Sequence, residues 1–494
     1  MSGRTPKPIV GALPDTTVDS PSVPVVLTWL VWLSFAASVA VLIARFRFDG
    51  AWGLPGVVAI DGLTTLMWVV VTFFSGIVHS YSRRYMAGNG HETAFFAIMF
   101  GFTVIVMGLV AADHLALFTL LWLAMGLSMA KLIGIKSGWK QAQAAATVAR
   151  NYFIASSALL GVALATLWWT TGATTVSGIA AASGTLGGPL WLLAAGSLVL
   201  AAMVQSALVP FHSWLLSSMT APTPASALMH AGFVNAGGIL LTRFAPVITV
   251  DATLMLAVVA LGSTSALLGK LFKSVQPDVK SKLGCSTVGQ MGFMIMQAGL
   301  GFFSAAVTHL ILHGFYKAYQ FLNAGEQVER TAPAETTERP TGAVGLAVTL
   351  LTGIAGSALF LTLTGKGLGL DSGLLLAVFV VLATLHAARG MVQNTSLPAT
   401  IRYGAVPLVF FPAIAVYALV YMTVSSVLIG LSQITAPTEL TALHAIVAAV
   451  FVAAYLAMEA GVHERSRRLY VVLVNASQPA ASTLLTNKDD YNEY

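Results

Sequence analysis

Apolar residues run along this chain in blocks of about twenty, separated by short stretches rich in Gly, Pro, Asp and Lys, with no strand-length alternation competing with them. Each block can carry a helix across a hydrocarbon layer about 30 Å thick. The pattern predicts about fourteen membrane spans, near residues 24–44, 62–81, 93–111, 114–134, 151–171, 187–217, 222–247, 252–272, 284–301, 302–323, 342–365, 373–391, 403–432 and 439–461. They form one transmembrane domain over 23–462, between an N-terminal tail (1–22) and a C-terminal tail (463–494). Pro210 and the run Ala221–Pro224 interrupt the middle of the pattern, where proline removes a backbone donor, so 187–217 is read as one broken helix.

Composition supports the pattern. Of 494 residues 57% are hydrophobic and 9% charged, with mean hydropathy +0.82, whereas a water-soluble domain carries about 25% charge. The expected fold class is an all-α integral membrane protein, because a helix satisfies its own backbone in lipid and the alternation of a barrel is missing. With the N-terminus inside, Arg83, Arg84, Lys136, Lys140, Arg150, Lys273, Lys280, Lys282, Arg330, Arg339, Arg402, Arg465, Arg467 and Arg468 share one side, opposite Arg45, Arg47, Arg243 and Lys366. The positive-inside rule then puts both termini in the cytoplasm. The net charge of +6 follows from this bias, and no basic run with interleaved aromatics suggests nucleic acid. The first span is too long for a cleavable signal core and is read as retained. Cys285 is the sole cysteine, which excludes an internal disulfide and a cysteine-held iron–sulfur or zinc site; no cofactor or metal is expected.

Ionisable residues inside spans are costly in hydrocarbon and therefore stand out as functional candidates. Asp61 opens the second span and His79 closes it, while Asp113 and His114 lie between the third and fourth; all four also suit interfacial structure. Lys131 and Lys270 stand near span ends, where lysine can snorkel to the surface. The stretch Thr308–Tyr319, THLILHGFYKAY, is different: His309, His313 and Lys317 recur every four residues. Each such step turns by about 40° on a helix, so the three form one polar ladder. Histidine titrates near neutral pH and a desolvated lysine can be brought into the same range, which makes the ladder read as part of a proton wire. Neutral packing histidines or a zinc pair are the alternatives, though zinc would lack HExxH and a third ligand. His230, after the broken segment, is the next candidate. The glycines of Thr364–Gly373 lack the order of a phosphate loop.

Four segments, Ile60–Met86, Val209–Arg243 (VPFHSWLLSSMTAPTPASALMHAGFVNAGGILLTR), Asp278–Met294 (DVKSKLGCSTVGQMGFM) and Thr308–Glu326, together resemble the signature of the antiporter-like proton-conducting subunits of respiratory complex I and of multi-subunit cation/proton antiporters. The resemblance covers roughly residues 55–370 and implies an antiporter-like core of about fourteen helices, with two interrupted helices and a buried chain of lysines, histidines and a glutamate. Residue by residue it implies that Asp61 and His79 are a supporting polar pair, that His230 is the histidine after the broken helix, that His309, His313 and Lys317 are the central relay, and that Lys366 is the lysine of the second broken helix.

Two positions depart from the family. Trp122–Gly126 (WLAMG) places Leu123 where the family has its glutamate, and Gln205 stands where it has the partner lysine. Lys131 lies two turns from Leu123 on a similar face, so the entry half of the proton path is either rebuilt around Lys131 or closed. These losses, with the tail Arg465–Pro479, resemble the divergent branch that serves bacterial uptake of inorganic carbon. Membership there implies a cation-conducting subunit of the bacterial inner membrane, with the proton as the cation and no catalytic or redox site of its own. Its implied partner at the cytoplasmic face is a large soluble zinc-containing protein, DabA, that hydrates CO2 to bicarbonate, with membrane lipid around the bundle. A subunit of a cation/proton antiporter or quinone-linked dehydrogenase, or a membrane anchor with an inactive channel, stays open.

Overall fold

The computed structural model describes residues 22–48, 52–325, 342–366, 369–393 and 398–484. The N-terminal tail read over 1–22 and the end of the C-terminal tail fall almost wholly outside the described residues, as do Arg330 and Arg339.

Helices dominate because apolar blocks in lipid must pair their backbone groups internally. In chain order they are α1 (Ser22–Arg47), α2 (Gly62–Tyr85), α3 (Glu92–Ala111), α4 (Leu115–Ile133), α5 (Lys140–Thr171), the short α6 (Val176–Ala181), α7 (Gly188–Gln205), α8 (Ser213–Ser217), α9 (Thr223–Ala231), α10 (Ala236–Arg243) and α11 (Ala245–Ile248). There follow α12 (Ala252–Ser274), α13 (Val279–Gly299), α14 (Phe303–Leu322), α15 (Ala343–Leu363), α16 (Gly373–Gln393), α17 (Ala399–Val427), α18 (Ala442–Glu459), α19 (Val462–Arg465) and α20 (Arg467–Ala476). A two-residue hairpin, Gly53–Leu54 with Val58–Ala59, sits between α1 and α2.

Among the described residues twelve helices, counting Thr223–Arg243 as one, are long and apolar enough to cross a membrane. Adding α13 and α14 brings the set to the fourteen expected; these two fall short on polarity and not on length, for they carry Lys280, Lys282, His309, His313 and Lys317. The predicted break over 187–217 is present, with α7 ending at Gln205 and α8 resuming at Ser213 on either side of Pro210. Another interruption, not expected from the sequence, separates α9 from α10 at Gly232, and Asn235 Nδ2 donates to the Ala231 carbonyl there (2.7 Å).

Two devices hold the site in place. Helices α12 and α13 meet backbone to backbone: a Cβ on Gly269 would come within 2.2 Å of Gly289 N, and one on Gly262 within 2.5 Å of Met296 N, so nothing larger fits. At the Lys/Arg-rich face, α20 folds back over the broken segment. Leu473 packs with Leu216, Phe272 and Cys285, His212 Nε2 bonds the Ala476 carbonyl (2.9 Å), and Ala480 N donates to Ser217 Oγ (3.0 Å).

Candidate functional site

The ladder predicted on α14 is real. Four-residue spacing keeps His309, His313 and Lys317 on one stripe, which packs inward against α13, α9 and α10. The rings of His309 and His313 lie 5.9 Å apart and nearly parallel at 14°. From His309 to Lys317 the stripe rises about 12 Å, a large fraction of the hydrocarbon thickness. Lys317 is fully buried, and its Nζ donates to the Leu283 carbonyl at 2.8 Å; among the described residues it has no carboxylate at ion-pair distance.

His230 joins this stripe from α9. It too is fully buried, its ring stacked on Phe321 with centroids 4.3 Å apart, and its Nδ1 is 2.9 Å from Thr287 Oγ1. Thr287 has one hydroxyl proton and places it on the Leu283 carbonyl (2.9 Å), so it must accept from His230, which fixes the Nδ1–H form of that ring. Leu283 O is therefore a node shared by Lys317 and Thr287. His230 Nε2, His309 Nε2 and both ring nitrogens of His313 have no hydrogen-bond partner among the described residues. Buried polar atoms left open in this way can pass protons to one another only through water.

Space for water reaches the row at one end. His309 lines a cavity of about 320 Å³ together with Gln297, Thr384 and Tyr417, whose polar groups interrupt an otherwise aliphatic and aromatic wall. Beyond His309, past the start of α14, Lys366 holds its Nζ 3.4 Å from the centroid of the Phe302 ring and 4.9 Å from that of Tyr421. This is a cation seated on aromatic faces in the turn after α15. It lies between two spans and not in an interrupted helix, as the resemblance had implied. Between His313 and Lys317, Gly314 admits the Ala231 carbonyl, since a Cβ there would sit 2.9 Å from that oxygen.

The remaining candidates lie apart. Asp61 caps α2, accepting from Thr64 N (2.9 Å), and pairs with Arg243, which also donates to Thr64 Oγ1 (3.0 Å) and to the Val110 carbonyl (2.6 Å). His79 is 18 positions further along α2, about 27 Å by helical rise. The two are no pair: His79 Nδ1 bonds Ser75 at its carbonyl (2.8 Å) and hydroxyl (3.1 Å), and Ser75 Oγ meets Thr103 (2.6 Å). Asp113 accepts from Ser177 N and Oγ, and His114 caps α4, both structural roles. Lys131 is exposed in the last turn of α4, so the structure does not bring it into the row. Leu123 is half-buried, and Gln205 is fully buried with neither amide atom hydrogen-bonded among the described residues. Thr287, Gln297 and Asn235 went unread in the sequence, where a lone hydroxyl or amide in an apolar run carries no signal of its partner.

Comparison with known proteins places this architecture. The family model described as NADH:quinone oxidoreductase/Mrp antiporter, TM, matches residues 112–389, and that of the complex I chain 5 N-terminus matches 52–96. Among curated relatives, a probable inorganic carbon transporter subunit DabB of Bacillus subtilis is 37% identical, over 66% of this chain and 65% of that one. The DabB2 protein of Halothiobacillus neapolitanus is 32% identical over 74% of this chain and 69% of its own length. The NADH-quinone oxidoreductase subunit L of Mycobacterium tuberculosis is 34% identical over 54% of this chain and 42% of that one. The chain spans 65% of the length of the Bacillus subtilis protein and 50% of that of the Halothiobacillus neapolitanus DabB1 protein. A chain of the Mrp complex from Dietzia shares the fold, with a TM-score of 0.56 and 21% identity over 96% of this chain and 53% of that one. With more than half of its length matched, this chain belongs to the NADH:quinone oxidoreductase/Mrp antiporter transmembrane family.

Proposed function

We propose that the protein is the cation-conducting membrane subunit of an inorganic-carbon accumulation complex, with the proton as the cation. The observation that carries conduction is Lys317: fully buried, bonded to a backbone carbonyl, and continued by His313 and His309 toward a cavity. A lysine placed this way, without an acid beside it among the described residues, suits taking up and releasing a proton better than holding a fold together. The relatives named as inorganic carbon transporter subunits support the cargo. On this reading a soluble zinc-containing partner converts CO2 to bicarbonate at the cytoplasmic face, and this subunit ties that reaction to the gradient from the bacterial inner membrane, with both termini in the cytoplasm. The Lys/Arg-rich face is the docking side.

The test is Lys317→Ala in cells that depend on the complex. Bicarbonate accumulation should fall to the level left by a protonophore, while expression and co-purification of the partner stay unchanged. A fully active Lys317→Ala protein sinks the relay. If the neighbouring subunits prove to be those of a cation antiporter or a quinone-linked dehydrogenase, the cargo changes and the conducting row stands.

A further inference from the structure

At the Lys/Arg-rich face, the ends of α12, α16 and α18 enclose a cavity of about 610 Å³ that the row does not use. Lys270, Lys273, Lys282, His386, Arg389 and Arg465 line it, and Glu459 is the carboxylate among its described lining residues. A helix C-terminus favours a cation or two, which accounts for Lys270 and Lys273 near the end of α12. It does not account for cations from α12, α13, α16 and α19 converging on one hollow. Glu459 answers Arg389, with Oε2 3.5 Å from Nη1. Lys270 Nζ lies 2.5 Å from His386 Nε2, so the ammonium donates to the ring's lone pair and two bases meet without an acid between them. Positive charge gathered in a hollow with low-dielectric walls focuses its field and draws anions in.

We propose that this hollow binds an oxyanion, a compact group of charged oxygens such as bicarbonate or phosphate in solution present, and such as the phosphate headgroup of an anionic lipid also presents. Arg465 supplies a forked donor and the three lysines supply point charges, while Arg389 is held by Glu459 and Gln393. The site would stand even if the inorganic-carbon reading fell.

Full-length protein in phosphatidylcholine nanodiscs should unfold at a higher temperature with sodium bicarbonate or inorganic phosphate than with sodium chloride at equal ionic strength. The triple variant Lys270→Gln, Lys273→Gln, Arg465→Gln should lose that difference. A higher midpoint in phosphatidylglycerol discs without added oxyanion, absent from the variant, assigns the site to the lipid headgroup. Equal midpoints in all salts and both lipids overturn the site, as do equal responses of variant and wild type. Should the triple variant fail to fold, Lys282→Gln with Arg465→Gln removes two exposed charges and should weaken binding of labelled phosphate about tenfold; unchanged binding again overturns it.

Discussion

Between α4, α5 and α7, Trp122 Nε1 donates to Ser156 Oγ (3.1 Å), Ser156 Oγ donates to the Ala201 carbonyl (3.0 Å), and Leu123 is a half-buried aliphatic side chain that carries no charge. Between α9, α13 and α14 the interior holds His230, His313 and Lys317, all buried, with His309 half-buried at a cavity. Both regions are bundles of helices packed through mostly apolar side chains, so helix packing alone does not decide where charge is carried. What differs is whether polar atoms are consumed by local bonds or left open in a row. Gln205 sits at the boundary, polar like a relay residue and unable to change its charge.

A contact outside both regions, the seam of α10 with α2 and α3, should give the largest effect. Arg243 ties α10 to α2 and α3, and Arg243→Met would leave Asp61 without its cation, costing about 2–4 kcal/mol, less than a fully buried pair because Asp61 is partly exposed. Thermal unfolding of the purified protein measures it, and a loss under about 1 kcal/mol would show that the seam is held by packing. His313→Ala should lower gradient-driven proton flux in proteoliposomes about tenfold, because water can replace part of a lost histidine. Unchanged flux would take His313 out of the row. Gln205→Met should leave flux unchanged and raise stability by about 1 kcal/mol, since it removes a buried amide without partners among the described residues. If flux collapses instead, the path extends into the first region and the contrast fails. The smallest effect belongs to Lys131: both Lys131→Met and Lys131→Arg should retain full bicarbonate accumulation, and loss in both would put Lys131 back on the path.

Much of this was legible in the sequence, for reasons that differ by element. Span positions follow from apolar blocks, and the break beside Pro210 follows from a missing donor, both of which are local facts. The row on α14 was legible because four-residue spacing is also local. Other features depend on partners far along the chain. Arg243 meets Asp61 across 182 positions, Lys270 meets His386 across 116, and Lys366 finds its aromatic seat in Phe302 and Tyr421. The interruption at Gly232 has no proline to announce it. Lys131 looked like a substitute for the missing glutamate because helical spacing shows a shared face, though not how deep that face lies.

That interruption has an electrostatic consequence. Helix α9 stops at Ala231, and the end of a helix carries about half a unit of negative charge. The Ala231 carbonyl is lodged against Gly314, between the positions of His313 and Lys317. A positive charge passing along the row thus crosses the level of a fixed pole, its carbonyl already taking the Asn235 amide proton, that has no proton affinity of its own at neutral pH. An acid in that place would steady the charge and also compete for the proton, whereas a peptide dipole steadies it and lets it go.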